Sequence, residues 1–249
     1  MSANTTAGIG VRSYATPADL GNAAGQQAAE VIIDRLATHD HVRLMLAAAP
    51  SQEATLARLV SSTAIDWSRV ECFHMDEYVG LAPAAPQRFA NWLQRVMFDL
   101  VQVGTFHRID PGSSPVDEAN RYGRLMGEES FDLVLCGLGV NGHVAFNDPP
   151  ADFADASRAR LIALDETSRQ QQVDEGHFES LGDVPRQAIT VTIPRLLNSA
   201  CIIASVPGRA KRTAVAQTLR EPVGGQHPGT SLRTHPNAFL YVDQESDPR

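Results

Sequence analysis

Apolar side chains recur at Leu20, Ala24, Ala28, Val31, Ile32 and Leu36, the spacing that lines one face of an α-helix. Thr16-Pro17-Ala18-Asp19 precede them: a hydroxyl cap, a proline where no N–H is needed, and an acid in the first turn. The pattern predicts a helix running to about Ala37. Residues 42–49 are apolar and short, which reads as a buried strand, and 51–60 as the helix after it. A strand over 70–75 precedes a helix over 87–101, with Trp92, Val96 and Leu100 on one face. A more polar helix over 116–128 and a strand over 131–136 come next. Two β-rich runs, 188–193 and 201–206, are separated by a short turn of helix; a helix over 209–220 and a strand over 238–242 close the pattern.

Strand–helix alternation with continuously apolar strands implies an α/β fold, its parallel sheet covered on both faces. No linker, repeat or low-complexity block divides the 249 residues, so a single domain is expected. The long polar stretch 166–185 reads as an excursion over the surface, part of a candidate lid over about 151–185. With 43% apolar and 20% charged residues the chain can bury a core. A formal charge of −8 argues against a nucleic-acid partner, which requires a basic face. It leaves room for a small anionic substrate held by a few local cations and backbone N–H groups. Cys72, Cys136 and Cys201 cannot all pair and read as buried thiols. No leader pattern is visible, and no apolar run approaches the roughly 18 residues of a membrane span. A soluble cytoplasmic protein without a membrane partner is the expectation.

Ligands in such sheets sit at the carboxyl ends of the strands, which selects residues 47–51, 74–78, 137–143 and 206–208. Gly137-Leu138-Gly139-Val140-Asn141-Gly142 satisfies the dinucleotide pattern G-x-G-x-x-G. That motif needs a helix starting inside the glycine run, and Pro149-Pro150 follow too soon to allow one. A nicotinamide enzyme is therefore the last of the readings. The glycines instead let backbone N–H groups approach a ligand and turn the chain so that Asn141, His143 and Asp148 converge. The alternative is a tight turn whose histidine satisfies a loop carbonyl. Asp76-Glu77 leaves a similar choice between a site carboxylate and a solvated acidic turn.

The segments FHMDEYVGLAPAAPQRF (residues 73–89) and GLGVNGHVAFNDPP (137–150) closely resemble the two signature segments of the glucosamine-6-phosphate deaminase/isomerase family. Weaker similarity covers nearly the whole chain and includes Gly208-x-x-Lys211 and Ser231-Leu232-Arg233-x-His235-Pro236. The resemblance implies a three-layer α/β/α sandwich with a mostly parallel, Rossmann-like sheet, shared with 6-phosphogluconolactonases and more distantly with ribose-5-phosphate isomerases. It implies conversion of an amino-sugar 6-phosphate to a ketose 6-phosphate and ammonia, with no metal or other cofactor. Asp76 becomes the base that moves the C2 proton to C1, and His143 the proton shuttle of ring opening. Asn141 and Asp148 flank the imidazole, to orient it or assist that transfer, while Glu77 supports the turn. Asp148 stands where glutamate is more usual, one methylene shorter.

At the phosphate end the chain departs from the family. A Thr-Gly or Gly-Gly turn usually follows the first core strand, where this chain has Ala47-Ala48-Ala49-Pro50-Ser51-Gln52. An arginine common after the lid has no counterpart: Asp174 falls near its place, with Arg169 close by. The remaining phosphate candidates are Ala48, Ala49, Ser51, Gln52, Gly137, Gly139 and Lys211, the last otherwise a surface lysine. Competing readings are a 6-phosphogluconolactonase-type hydrolase and a non-catalytic sugar-phosphate binder. The resemblance also allows a homo-oligomer.

Overall fold

The computed structural model describes residues 4–6, 8–112 and 114–249. In it Thr16 Oγ1 accepts from the Asp19 N–H at 3.1 Å and opens helix α1 (Pro17–Leu36). The strands are β1 (Asn4–Thr6), β2 (Ile9–Tyr14), β3 (Val42–Leu46), β4 (Val70–His74), β5 (Asp76–Tyr78), β6 (Thr105–His107), β7 (Leu133–Cys136), β8 (Ala159–Ala163), β9 (Gln187–Val191), β10 (Ile202–Val206) and β11 (Ala238–Asp243). Between them run α2 (Glu53–Val60), α3 (Phe89–Leu93), α4 (Pro115–Met126), α5 (Glu166–Asp174), α6 (Ile193–Leu197) and α7 (Arg212–Arg220).

Eight strands form one sheet in the order β1-β2-β11-β10-β7-β3-β4-β6, parallel except for β1. Leu44, Leu46, Leu133 and Leu135 pack with Leu20 and Ile32 of α1, Leu56 and Leu59 of α2, and Leu93 of α3. On the opposite face Met45, Phe73 and Val134 pack with Tyr122 and Met126 of α4 and with Val215 and Leu219 of α7. Alternate side chains of the same strands thus feed two cores, giving three layers of Rossmann-like α/β/α architecture.

The structure departs from the sequence expectations in three places. The run 188–193 does not join the parallel sheet: β9 is the middle strand of a second, antiparallel sheet, β5-β9-β8. Apolar content marked it as a strand but not its partner. The helix expected over 87–101 is a short α3 followed by a wide turn over Gln94–Phe98, where Asp99 N–H bonds Gln94 O. That change of register buries Phe89, Leu93 and Met97 and leaves Leu100 65% exposed, so Trp92, Val96 and Leu100 share no buried face. Also, β3 stops at Leu46, and residues 47–49 continue as loop into a tight turn over Pro50–Gln52.

The three cysteines are free and buried, and burial pushes their thiols up, away from reactivity. Among the described residues, no helix is long and apolar enough to cross a membrane.

Candidate active site

A crevice opens where β3, β4 and β7 end. It is lined by Ala47, Ala48, Ala49 and Ser51 after β3, by Met75 and Asp76 after β4, and by Gly137, Leu138, Gly139 and His143 after β7. Phe89, Ala145, Phe146 and Lys211 add to the lining, as do Gln171, Gln172 and Glu175, borne on α5 or just after it. Its unfilled space, counting the open mouth, is about 520 Å³.

Asp76 sits at the switch from the parallel sheet into β5, opposite Thr190. A buried histidine holds the switch. The Ile109 N–H donates to His74 Nε2 at 2.8 Å, so Nδ1 carries the proton and donates to Asp76 O at 2.9 Å. Burial keeps that imidazole neutral, its pKa pushed down to about 3. The Asp76 carboxyl is itself buried and has no hydrogen-bond partner among the described residues. Desolvation first, and the charge of Glu77 second, raise its pKa well above the usual aspartate range.

Glu77 points away from the crevice, because side chains alternate along β5. Its carboxylate accepts from the Tyr78, Phe89 and Ala90 N–H groups, each at 3.0 Å, with Arg88 Nε at 3.6 Å. It caps the start of α3. Thus two adjacent acids have opposite jobs: Asp76 is left unpaired in the crevice, and Glu77 is fully used by the backbone.

The glycine run after β7 curls tightly, Gly139 N–H bonding His143 O and Gly142 N–H bonding Gly139 O. Gly142 takes a φ of +82°, which favours glycine. The curl lays the imidazole of His143 directly on Gly139, where a Cβ would fall 2.2–2.4 Å from three ring atoms. No other residue type leaves room for the ring. Behind it, Asp148 Oδ1 lies 3.0 Å from His143 Nδ1, while Asn141 donates to the same oxygen at 3.0 Å and accepts from the His143 N–H at 3.0 Å. Burial raises the Asp148 pKa, but the hydrogen bonds and charge of His143, with Asn141 and Ser168, outweigh it and hold it at about 2. A carboxylate on Nδ1 fixes the tautomer and leaves Nε2 as the reactive nitrogen.

Asn141 and Asp148 do not line the crevice. They flank the imidazole, and their hydrogen bonds around His143 fit the orienting one of the two roles expected of them. The shorter side chain of Asp148 still reaches the ring. Gln52 is corrected. It is buried away from the crevice, and its Nε2 donates to Ser51 Oγ at 3.0 Å and Ser205 O at 3.2 Å, so it supports Ser51 rather than facing a ligand. Ala48, Ala49, Ser51, Gly137, Gly139 and Lys211 do line the crevice. Ala49 is extended, at φ −154°, so this turn is made without a left-handed residue.

Helix α5 supplies what sequence reasoning missed. Ser168 donates to Asp148 Oδ1 and lies 2.9 Å from His143 Nδ1. Gln171 Oε1 accepts from the Val140 N–H at 2.9 Å, and Gln172 Oε1 from the Tyr78 hydroxyl at 2.6 Å. The signal was present: Asp165 caps this helix, and its buried residues are all polar, as a helix facing a polar crevice demands. Asp174, aligned with the missing arginine, is exposed and bonded to Gln170, whereas Arg169 turns to the Leu181 and Val184 carbonyls. Within the candidate lid, 159–163 form β8 and 166–174 form α5.

Comparison with known proteins places the whole chain. The profile of the family described as glucosamine-6-phosphate isomerases/6-phosphogluconolactonase matches residues 15–240. A glucosamine-6-phosphate deaminase of Staphylococcus epidermidis is 32% identical over 225 residues, covering 87% of this chain and 91% of its own. One from Streptococcus sanguinis is 31% identical, covering 89% and 92%. Among solved structures, a monomeric glucosamine-6-phosphate deaminase superposes with a TM-score of 0.86 at 24% identity, covering 95% of this chain and 98% of its own. A 6-phosphogluconolactonase from Thermotoga maritima gives 0.76 at 16% identity, covering 94% and 99%. At those identities the two structures speak to the fold, while the profile match spans most of the chain. The chain belongs to the glucosamine-6-phosphate isomerase/6-phosphogluconolactonase family of enzymes.

Proposed function

We propose that this enzyme is a deaminating isomerase that converts glucosamine 6-phosphate, or a close hexosamine 6-phosphate, and water to fructose 6-phosphate and ammonia. One observation carries the reading. Asp76 and His143 face the same crevice from different strand ends, the carboxyl unpaired and the imidazole locked in orientation.

The chemistry divides between them. His143 Nε2 relays a proton from O1 to the ring oxygen, opening the pyranose to its aldehyde. Asp76, as carboxylate, takes the proton from C2 and returns it to C1. The pair of the broken C2–H bond becomes a C1=C2 bond while the aldehyde π pair moves onto O1, which takes a proton. The nitrogen lone pair then forms the C2=N bond as C1 takes the proton held by Asp76, and the resulting C2 imine adds water and expels ammonia. A base in water-poor surroundings with a raised pKa suits removal of a weakly acidic C–H proton, and each positioned acid–base group contributes roughly 10²–10⁴-fold. Ser51 and Lys211, at the end of the crevice formed by β3 and β10, are the groups available to the phosphate.

Ammonia release coupled to a dehydrogenase, measured across glucosamine, galactosamine and N-acetylglucosamine 6-phosphates, tests the proposal. Release from at least one unacetylated isomer is expected, and inertness toward every hexosamine 6-phosphate would sink it. Hydrolysis of 6-phosphogluconolactone, run in parallel, reads the alternative chemistry in which the histidine activates water.

A further inference from the structure

Lys211 is the single cationic side chain lining the crevice among the described residues, and it already has a partner. Its ammonium lies 3.3 Å from Glu175 Oε1, and its side chain is only 9% exposed. Gln171 Nε2 donates to the same oxygen at 2.7 Å, and His177 Nε2 stands 4.0 Å from the other. Glu175 therefore lies in the crevice as an ordered part of its wall. Burial lowers the Lys211 pKa and the Glu175 charge opposes that shift, consistent with a pair that shares a partly dry site. The site thus holds a positive and a negative charge at the end where a substrate anion must be received.

We propose that Glu175 is a specificity-determining residue, a carboxylate that competes with the substrate's anionic group for Lys211. The inference rests on the deaminating-isomerase reading for its substrate, but not for its test. A phosphate dianion that reaches Lys211 meets a carboxylate within a few ångströms, or must drive that carboxylate off the ammonium. Like charges so placed oppose binding strongly. Glu175 has somewhere to go: it caps the C-terminal end of α5 and is followed by Gly176 at φ +78°, and its side chain keeps 24% of its surface in solvent. The consequence is an enzyme with weak intrinsic affinity for the phosphate, and a small advantage for phosphorylated over unphosphorylated amino sugars.

Isothermal titration of the full-length protein with inorganic phosphate, in a phosphate-free buffer at fixed ionic strength, tests this. Glu175→Gln keeps the shape of the side chain and removes its charge, and should tighten phosphate binding by about tenfold or more. The KM for glucosamine 6-phosphate should fall in parallel, with kcat changed far less and no fall in the KM for unphosphorylated glucosamine. The double variant Glu175→Gln, Lys211→Met should lose the gain. Phosphate affinity of Glu175→Gln within about twofold of the parent, or weaker, overturns the proposal, as does a double variant that binds phosphate as tightly as the single one. Thermal melts confirm folding, and Glu175→Ala gives the same expected direction should the glutamine variant be unstable. A protein that turns over no hexosamine 6-phosphate defeats the proposed reaction, while the phosphate titration still decides for or against Glu175.

Discussion

Substitution of Gly139 by alanine adds a single methyl group and tests whether catalysis depends on where the imidazole sits. The backbone at Gly139 is not in the left-handed region, so alanine itself is tolerated there. The added Cβ, however, would lie 2.2 Å from Cε1, 2.3 Å from Nδ1 and 2.4 Å from Nε2 of His143. Ordinary contacts begin near 3.4 Å, so the ring must move by about 1 Å. It cannot do so freely, because Asp148 and Ser168 hold Nδ1 at 3.0 and 2.9 Å. A misplacement of that size costs a reaction about a hundredfold, or about 2.7 kcal/mol of barrier. The expected result is a kcat lowered about a hundredfold in the ammonia-release assay, with a fall of a few degrees in melting temperature. Gly137→Ala is the internal comparison. Its Cβ meets Gln52 Nε2 at 3.1 Å and Ser51 Oγ at 3.2 Å, contacts that small side-chain shifts relieve, and it should mainly raise KM. A folded Gly139→Ala enzyme with kcat within about threefold of the parent would refute the argument, because the ring could then be displaced without consequence for the chemistry.

Three further outcomes follow from the carboxylates. Asp76→Asn should lower activity by about 10³-fold and raise stability at neutral pH, since ionising a carboxyl with a raised folded pKa opposes folding. That penalty is absent below the unfolded value near 3.8 and grows as pH rises, so the gain in melting temperature, a few degrees at pH 8, should vanish near pH 4; an equal gain at both pH values contradicts it. Asp148 has the opposite sign: its stabilisation is present above 3.8 and is lost as pH falls toward about 2. Asp148→Asn should therefore cost on the order of 2 kcal/mol in urea unfolding at pH 7 and much less at pH 2, with kcat reduced about a hundredfold. Glu77→Gln removes an acceptor from the Ala90 N–H and should destabilise the fold by roughly 1–3 kcal/mol. Because the Glu77 charge raises Asp76, the acid limb of its pH–rate profile should also move to lower pH, and an unmoved limb would separate the two groups.

Much of the scaffold could be read from periodicity. The cap at Thr16, the α1 stripe and the apolar runs of β3, β4, β7, β10 and β11 each follow from rules that act over a few residues, and the structure places them within a few positions of expectation. Short elements escaped. β5, β6 and β8 are three to five residues long, and β8 has only one buried position, so no alternation marks them. The run of β9 was visible as a strand, yet its pairing with Asp76–Tyr78 and Ala159–Ala163 depends on partners far away in sequence. In the site, Asp76 and His143 were legible from their motifs and from the rule that ligands meet strand ends. Asn141 and Asp148 were read as neighbours of the imidazole, where they lie, whereas Gln52, a phosphate candidate, turns to Ser51 and Ser205, because sequence spacing does not say which side of a loop a side chain takes. Ser168, Gln171, Gln172 and Glu175 were missed because a polar helix looks like solvated surface until something polar is found beneath it.

Local chemistry written along the chain was enough to determine the α/β alternation, the first helix cap and the Pro149-Pro150 pair that forbids a dinucleotide helix. Only the folded chain decided that Asp76 stays unpaired while Glu77 is consumed by the backbone, and that the imidazole rests on Gly139. It also decided that Glu175 pairs with Lys211. The reason is range: caps, turns and periodicity depend on neighbours a few residues apart, whereas Lys211 and Glu175 are brought together across 36 positions by the packing of a whole domain.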